Sequence, residues 1–426
     1  MWGLLCIGIV ALVVLISYVK APPFLSFLLV SIMVGLADGL TTTTIIDALQ
    51  KGIGSTLGSI LSIIVLGAMI GKLIAKSNAG VVIADQLANY FGAKRLPFAF
   101  MIIGFIVSLP LFFSVAFLLL TPLVLTTAKR QHINPVYLGI PMLASMSITQ
   151  GFLPPHPAPY YLVTHLPGAD MGITLGLGII IAIPAMLTSG WLFGKTLNNI
   201  SSDPLNFVQE DEIKNPPSFI SCLLIILLPV VLIALRSFYK NDFIDFFSEP
   251  VIALMISLLI ALYILGVKRR VAWNQIQVWM LDSIKEVAPL ILTFAGAGAF
   301  KEILQSMKIG DEVLRFAMSS SVSPLLLAWL MAALLRIITG SSTVAGITTA
   351  GLIIPVLLKT GVNPNLLVLS IGAGSMVLSH VNDTGFWLYK EYFGVSIKDT
   401  LRSWTIMETI LAVVGLLGVL ALQYII

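Results

Sequence analysis

Apolar runs long enough to cross a lipid bilayer recur along almost the whole of this 426-residue chain. A membrane-spanning helix needs about 20 mostly apolar residues, whereas a soluble domain usually carries about 25% charged residues. Here 58% of the residues are hydrophobic and only 10% are charged. This balance excludes a soluble enzyme, a nucleic-acid-binding protein and a disordered scaffold. It predicts an all-α polytopic membrane protein that is embedded in the lipid bilayer.

Eight uninterrupted runs have the length of a spanning helix. They are Trp2–Val19, Pro23–Leu40, Gly52–Ala75, Met171–Gly194, Ser218–Leu235, Pro250–Val267, Ser283–Gln305 and Ser403–Ile426. Two further apolar regions, Leu96–Thr164 and Val322–Tyr392, are longer and contain breaks. The one extended polar stretch, Lys195–Pro217, is interpreted as a loop between two halves of the chain.

Basic residues at the ends of the runs predict the orientation, because cytoplasmic loops are enriched in Lys and Arg. Basic clusters occupy 94–95, 129–130 and 268–270, and we place them in the cytoplasm. The first two flank Leu96–Ala128, an apolar stretch that is too long for one span. With both ends cytoplasmic, this stretch predicts a re-entrant hairpin with its tip near Ser114. Irregular backbone at membrane depth is tolerated only beside protein or a water-filled cavity, so such a tip indicates a site.

The sequence matches itself without gaps at an offset of 229 residues. Counting spans between the matching segments gives them opposite orientations, which predicts inverted repeats. Inverted repeats with broken helices are typical of secondary transporters. The matches are Gly67-Ala68 with Gly296-Ala297, Lys72 with Lys301, Ser77 with Ser306, Ser114–Ala116 with Thr343–Ala345, and Asn134-Pro135 with Asn363-Pro364.

These observations predict a single transmembrane domain that covers residues 1–426. We expect repeat one at about 20–194, the polar loop at 195–217 and repeat two at about 250–426. The predicted architecture is an inverted-repeat transporter with about ten transmembrane helices and two opposed re-entrant hairpins. The second hairpin has its tip at Gly340–Thr343.

Four polar clusters interrupt the apolar background, and the offset arranges them in pairs. Ser114 and Gly340–Thr343 lie at the two hairpin tips, whereas Gln150–Pro159 and Ser379–Thr384 follow the hairpins. Four prolines in six residues predict extended chain over Pro154–Pro159. We expect the clusters to meet at one central site. The candidate substrate-binding residues are Ser114, His156, Ser341, Ser342, Thr343, His380 and Asn382.

Asp383 is the candidate ion-coupling residue, because a carboxylate inside a spanning segment is costly and indicates function by default. It is expected to ligate a coupling ion, carry a proton or accept hydrogen bonds from the substrate. Arg336 either pairs with a carboxylate or extends towards the membrane surface. His156 either contacts the substrate or satisfies a carbonyl of its proline-broken segment. Four aromatic residues predict an interfacial belt: Trp387, Tyr389, Tyr392 and Trp404.

Sequence motifs of hydrolases, zinc proteases and nucleotide-binding proteins are absent, which argues against an enzyme and against a cofactor or catalytic metal. Without a nucleotide site, the energy for transport has to come from an ion gradient or from the gradient of the substrate itself. A passive channel or facilitator for small organic anions is therefore the alternative function.

At the polar clusters the sequence resembles the gluconate permease family, which belongs to a superfamily of inverted-repeat symporters. The sequence departs from the usual family pattern at Ala158 and at Gln150-Gly151, which border the expected site and leave the identity of the sugar acid open. The matching stretches are Gly54–Ser59, Leu66–Lys72, Phe152–Pro157, Gly296–Lys301, Arg336–Ala345 and Ser379–Trp387.

The resemblance implies import of a small hydroxy-carboxylate, such as gluconate or a related sugar acid, by proton symport across the inner (cytoplasmic) membrane. Sodium is the alternative coupling ion, because the unwound segments offer carbonyl and hydroxyl oxygens. The expected partners are thus a small organic anion, a coupling ion and the lipid bilayer, with no nucleic acid. The oligomeric state stays open between a single chain and a homodimer.

Overall fold

The computed structural model describes residues 2–79, 82–83, 86, 90–92, 95–204, 216–235, 241–319, 322–381 and 383–426. Within these ranges the regular structure is helical, without strands. The helices of the N-terminal half are α1 (Trp2–Val13), α2 (Pro23–Ala37), α3 (Thr42–Lys76), α4 (Leu96–Ser108), α5 (Phe113–Gln131), α6 (Pro135–Phe152), α7 (Pro157–His165) and α8 (Met171–Met186).

Eleven helices lie in the described residues of the C-terminal half. They are α9 (Phe219–Leu235), α10 (Asp242–Ser248), α11 (Pro250–Ala261), α12 (Trp273–Ser306), α13 (Ile309–Ser319), α14 (Pro324–Thr339), α15 (Ser342–Thr360), α16 (Pro364–Gly374), α17 (Thr384–Phe393), α18 (Ile397–Thr400) and α19 (Ile406–Gln423). Several helices are extended by π-helical or 3₁₀ turns at Val14–Tyr18, Leu187–Leu192, Lys195–Leu197, Leu262–Gly266, Val267–Arg269 and Leu401–Thr405.

The long helices overlap the predicted apolar runs and confirm the all-α polytopic membrane fold, although α3 and α12 each begin ten residues before the predicted run. In the described part of the chain, seven helical stretches are apolar and long enough to cross a membrane, and shorter apolar helices accompany them. Large apolar side chains such as Leu259 and Leu417 are exposed on the outer helices. An apolar outer surface of this kind is suited to contact with lipid rather than water.

The two longest helices, α3 and α12, pack against each other in antiparallel directions. Near the start of α3, the Nζ atom of Lys51 lies 2.5 Å from Oε1 of Glu302, close to the end of α12. Near the end of α3, Lys72 forms an ion pair with Glu286, which precedes Glu302 in α12. Because the helices begin at equivalent places in the two repeats, their opposite directions agree with the predicted inversion.

Two glycines allow α3 and α12 to approach closely. A Cβ atom on Gly52 would overlap the backbone of Gly298 and Ala299, and one on Gly298 would overlap the backbone of Gly52 and the side chain of Thr56. Small residues at helix contacts let backbones pack closely in membrane proteins, where the hydrophobic effect does not drive helix association. The glycines thus position the long helices that support the two hairpins.

Both predicted hairpins are pairs of helices separated by a short break. The first members, α4 and α14, have 13 and 16 residues. At 1.5 Å per residue they extend about 20 and 24 Å, less than the hydrocarbon core of about 30 Å. The first break, 109–112, precedes Ser114, which lies in the first turn of α5. In the second hairpin, Gly340 ends α14 with a φ of +69°, a backbone conformation that favours glycine.

Each repeat contains a second interruption after its hairpin. The chain is non-helical between α6 and α7, at 153–156, and between α16 and α17, at 375–383, where Asn382 lies outside the described residues. The prediction of extended chain through Pro159 was wrong, because Pro157 and Pro159 occupy the first turn of α7. A proline is tolerated there, since the first N–H groups of a helix have no helical acceptor.

The offset found in the sequence recurs in the helix boundaries. The hairpin helices α5 and α15 begin at 113 and 342, and α6 and α16 begin at 135 and 364, so both pairs differ by 229. Helices α6 and α16 also begin in the same way. Asn134 and Asn363 cap them, with side-chain oxygens that accept from the N–H groups of Val136 (2.8 Å) and Asn365 (3.0 Å).

Candidate functional site

A cavity of about 250 Å³ lies between the second hairpin and helices α5, α6, α12, α17 and α19. Its wall combines residues from both repeats, and its four charged residues all belong to the second. The polar residues that line it are Ser114, Ser147, Gln150, Glu286, Arg336, Ser341, Ser342, Thr343, Asp383, Thr384, Trp404 and Glu408.

Besides α17, whose N-terminus is capped by Asp383, two helices direct their N-termini to this cavity. Ser114 lies in the first turn of α5, and Ser342 and Thr343 form the first turn of α15. The N-cap of α15 is Ser341, whose hydroxyl accepts a hydrogen bond from the N–H of Val344 at 3.4 Å. First-turn N–H groups lack helical acceptors, and each helix N-terminus carries about half a positive charge. The two helix ends therefore favour an anionic group such as a carboxylate.

Arg336 and Asp383 form a buried ion pair in the wall of the cavity. Their side chains are 4% and 15% exposed, and Nη2 of Arg336 donates to Oδ2 of Asp383. Nη1 of Arg336 donates to the carbonyl of Gly340, so the guanidinium also holds the hairpin tip. The Nε atom of Arg336 is buried without a hydrogen-bond partner. The open prediction for Arg336 is thus decided in favour of a carboxylate partner.

Asp383 has further contacts that hold its carboxylate in place. As the N-cap of α17, it accepts a hydrogen bond on Oδ1 from the N–H of Gly385 at 2.9 Å. Its Oδ2 atom also accepts from the hydroxyl of Ser379. That hydroxyl in turn accepts from Nε1 of Trp404 at 2.8 Å. Both oxygens of Asp383 are therefore occupied by donors from the protein.

Glu408 is a second carboxylate in the wall, on helix α19. Glu408 is only 1% exposed, and its Oε1 atom accepts a hydrogen bond from the hydroxyl of Ser147 on α6. Its Oε2 atom is buried without a hydrogen-bond partner. A buried carboxylate is costly unless its charge is balanced or a proton neutralises it. Glu408 differs in this respect from Asp383, whose charge is balanced by Arg336.

Glu286 is the third carboxylate that lines the cavity. Its side chain is 54% exposed and pairs with Lys72 of α3, which is 17% exposed. The pair lies at the more accessible side of the cavity and joins a helix of each repeat. Because the two charges offset one another, this pair adds little net charge to the site.

The predicted site residues divide into three groups. Five of them line the cavity together, as predicted for the polar clusters: Ser114, Ser341, Ser342, Thr343 and Asp383. Asn382 lies outside the described residues. The two histidines, His156 and His380, are not among the residues that line the cavity.

Each histidine instead binds the carbonyl at the end of a hairpin helix. Nε2 of His156 lies 2.8 Å from the carbonyl oxygen of Ser108, and Nε2 of His380 lies 3.1 Å from that of Ile337. Since a carbonyl oxygen only accepts, both Nε2 atoms carry the hydrogen. Ser108 and Ile337 are 229 residues apart, so the same carbonyl is bound in both repeats. The carbonyls at a helix C-terminus lack helical donors, and each histidine supplies one donor; the carbonyl of Ser108 also accepts from the N–H of Leu111 at 3.2 Å.

Sequence reasoning missed several residues of the cavity. Glu408 lies inside the apolar run 403–426, so the rule that singled out Asp383 would also have found it. Ser147 carries no such signal, because serine is common in membrane helices. The interfacial belt was wrong for Trp404 and Tyr389, which are 2% and 0% exposed. Their rings stack at 6.0 Å, and Trp404 itself lines the cavity.

Comparison with known proteins places this architecture in a family. The sequence matches the GntP family permease over residues 3–425. The Gnt-II system L-idonate transporter of Escherichia coli (strain K12) is 40% identical over 431 residues, which cover 98% of this chain and 97% of that protein. A high-affinity gluconate transporter of the same strain is 39% identical over 435 residues, which cover 99% of both chains.

A solved structure shares the fold at much lower sequence identity. The YdaH transporter of Alcanivorax borkumensis, described as having an unusual topology, is 14% identical to this chain. The two structures superpose with a TM-score of 0.64 over 95% of this chain and 98% of that one. The likeness concerns the fold alone. Full-length similarity to permeases rather than enzymes, together with the apolar helices, identifies the chain as a multi-pass inner-membrane permease of the GntP family.

Proposed function

We propose that this permease imports gluconate or a closely related sugar acid by proton symport and that the cavity between the hairpins is its substrate site. The observation that carries the proposal is the buried Arg336 beside two helix N-termini in one cavity. This is an anion site inside a membrane protein whose relatives are named for gluconate and L-idonate.

The carboxylate end of the substrate has a complementary set of donors. The first turns of α5 and α15 offer N–H groups and the hydroxyls of Ser114, Ser342 and Thr343. The guanidinium of Arg336 supplies the full positive charge, and its unpaired Nε–H adds a donor in the same wall. Hydrogen bonds to charged groups contribute about 1.5–3 kcal/mol each, which suits an ion held apart from water.

The hydroxyl groups of a sugar acid require both donors and acceptors. Gln150 offers an amide, which donates and accepts, and Ser147 and Thr384 offer hydroxyls in the same cavity. A site that hydrogen-bonds substrate hydroxyls discriminates strongly against analogues that lack them. We therefore expect hydroxy acids to be preferred over plain short-chain carboxylates of equal length.

Coupling to a cation follows from the excess of carboxylates in the wall. Arg336 balances Asp383 and Lys72 balances Glu286, so Glu408 has no cationic partner among the described contacts. An anionic substrate adds another negative charge to this site. A cation that enters with the substrate removes the repulsion, and a proton on a carboxyl group is the smallest such change. Asp383 was the carboxyl group predicted to couple, and the experiments below compare it with Glu408.

Uptake into proteoliposomes tests the proposal. Purified protein is reconstituted, and labelled gluconate is supplied with an inward proton gradient, an inward sodium gradient or neither. We expect saturable accumulation driven by the proton gradient and competition by unlabelled L-idonate. Accumulation driven by sodium alone would overturn the choice of proton, and non-saturating uptake without accumulation would instead support the passive channel. An empty-vesicle control measures leakage.

A further inference from the structure

We propose that Glu408 binds the coupling proton, so that the substrate carboxylate and the proton occupy one cavity together. The inference rests on the proposed function and assigns its coupling step to a residue that sequence reasoning did not select. The observation that carries it is a buried carboxylate that lines the cavity and has one oxygen without a partner.

The contacts of Glu408 leave room for a proton. The hydroxyl of Ser147 donates to Oε1, whereas Oε2 is buried and unpartnered. An ionised carboxylate with an unsatisfied buried oxygen loses the hydration of that oxygen without a compensating hydrogen bond. A proton on Oε2 removes the charge and leaves the contact with Ser147 intact. Protonation of this residue therefore requires no rearrangement of its neighbours.

The contacts of Asp383 do not leave such room. Its Oδ1 atom accepts from the N–H of Gly385, and its Oδ2 atom accepts from Arg336 and from Ser379. A proton on either oxygen would displace one of these donors and leave Arg336 buried without a counter-charge. Breaking a buried ion pair in this way is strongly unfavourable. Asp383 is thus suited to holding Arg336, and Glu408 to gaining and losing a proton.

The groups around Glu408 explain why its proton and the substrate are linked. Arg336 and Asp383 are the charged groups that act on Glu408, and they form a pair without net charge. With Glu408 ionised, the wall has a net negative charge and repels a carboxylate. With Glu408 protonated, the wall is neutral, and the two helix N-termini attract the same carboxylate. The anion and the proton therefore favour each other's binding, which gives symport of one proton with one monoanion.

The other elements packed on α19 do not compete for this role. Helices α8 and α16 carry no titratable side chain, and the only one in α6 is Tyr137, ten residues before Ser147. In the turn that precedes α19, Arg402 is exposed rather than directed into the cavity. Glu286 lines the cavity from α12, but it is paired with Lys72.

The test compares Glu408→Gln with the wild type in proteoliposomes. Glutamine keeps the shape of the side chain and mimics the protonated form, so exchange of labelled for unlabelled gluconate across the membrane should continue. Accumulation driven by the proton gradient should be lost. One pH unit supports about tenfold accumulation at one proton per substrate, and the ratio should fall to about one in the variant. The matched control is Glu391→Gln, on an exposed residue that is paired with Lys390 outside the cavity.

A conservative variant and a direct proton measurement separate coupling from a structural role. Glu408→Asp keeps a titratable group and should restore part of the proton-driven accumulation. In weakly buffered detergent solution, at a pH high enough to ionise Glu408 in the substrate-free protein, gluconate added to the wild type should cause uptake of about one proton per bound substrate, and none for Glu408→Gln. If Glu408→Gln does not fold, carbodiimide labelling of the wild type decides the question, because carbodiimides modify protonated carboxyl groups in apolar surroundings.

The outcomes distinguish this inference from the proposed function. A wild type that shows no proton-driven accumulation refutes the proposed function and the inference with it. A wild type that accumulates gluconate together with an equally effective Glu408→Gln refutes the inference alone. If Glu408→Gln and Glu408→Asp both lose exchange as well as accumulation, the residue is assigned to substrate binding, and the inference is overturned. In the labelling experiment, the inference is supported if carbodiimide modifies Glu408 and if gluconate in the cavity prevents that modification. Modification of Asp383 instead of Glu408 refutes it.

Discussion

Arg336 on the second hairpin and Asp383 at the N-terminus of α17 form an ion pair across the two breaks of the same repeat. The pair fastens the hairpin tip to the unwound segment, because Arg336 also donates to the carbonyl of Gly340. It places a positive group beside the cavity while the net charge of the pair stays zero.

Loss of Asp383 should affect both transport and stability. Asp383→Asn leaves the guanidinium of Arg336 buried without its counter-charge, and breaking one partner of a buried pair costs about 3–5 kcal/mol. We expect gluconate exchange and gradient-driven accumulation to be abolished, together with a lower unfolding temperature in detergent. Normal accumulation in proteoliposomes would contradict this. Glu408→Gln, by contrast, should keep exchange. Comparing exchange in the two variants therefore distinguishes a residue that positions Arg336 from one that binds the proton.

Loss of the charge at Arg336 should weaken substrate binding and also remove the counter-charge of Asp383. Arg336→Gln removes the cation that faces the carboxylate, and we expect the apparent affinity in exchange assays to fall at least about tenfold, the equivalent of 1.4 kcal/mol. Arg336→Lys keeps the charge but not the planar fork, so it should retain part of the affinity. An apparent affinity that is the same for all three proteins would remove Arg336 from the site.

The hydroxyls at the two helix N-termini should make smaller, similar contributions. Ser114→Ala and Thr343→Ala each remove one hydrogen-bonding group worth about 0.5–1.5 kcal/mol, which corresponds to about a twofold to tenfold loss of apparent affinity. Thr360→Ala is the control, because Thr360 lies at the other end of α15 and its hydroxyl donates to the carbonyl of Val356. Unchanged affinity in both test variants would exclude the hairpins from the site.

The histidines should contribute to stability rather than to affinity. His156→Ala removes the donor to the carbonyl of Ser108, and His380→Ala removes the donor to Ile337. A hydrogen bond of this kind contributes about 0.5–1.5 kcal/mol, so the unfolding temperature should fall while the apparent affinity of the folded protein stays unchanged. A weaker affinity without a change in unfolding temperature would restore the original prediction that these residues bind substrate.

A pair of glycine variants tests the contact between the two long helices. Gly52→Val places side-chain atoms against the backbone of α12, whereas Gly54→Val meets open space two residues further along α3. We expect Gly52→Val to lower the yield and the unfolding temperature of the purified protein and Gly54→Val to change neither. Equal behaviour of the two variants would argue against the close packing of α3 and α12.

Much of the fold could be predicted from local sequence patterns. Spanning helices require long apolar runs, and helices end at signals such as Gly340 and begin at signals such as Asn134 and Asn363. These rules reach their limit at Pro157 and Pro159, which lie in the first turn of a helix instead of preventing one. The effect of a proline on a helix depends on its position in the helix, not on how many prolines are nearby.

The site could be predicted only in part, because proximity between distant residues leaves no periodic trace. The sequence by itself determined that the chain is a membrane protein, that it repeats with an inversion, and that Ser114, Thr343 and Asp383 lie near helix breaks. Only the tertiary structure decided which charges meet. It joined Arg336 with Asp383 and brought Glu408 to Ser147, a residue 261 positions away. It also directed the histidines to the hairpin carbonyls, because a donor removed from water needs an acceptor within reach, and only the folded backbone determines which acceptor that is.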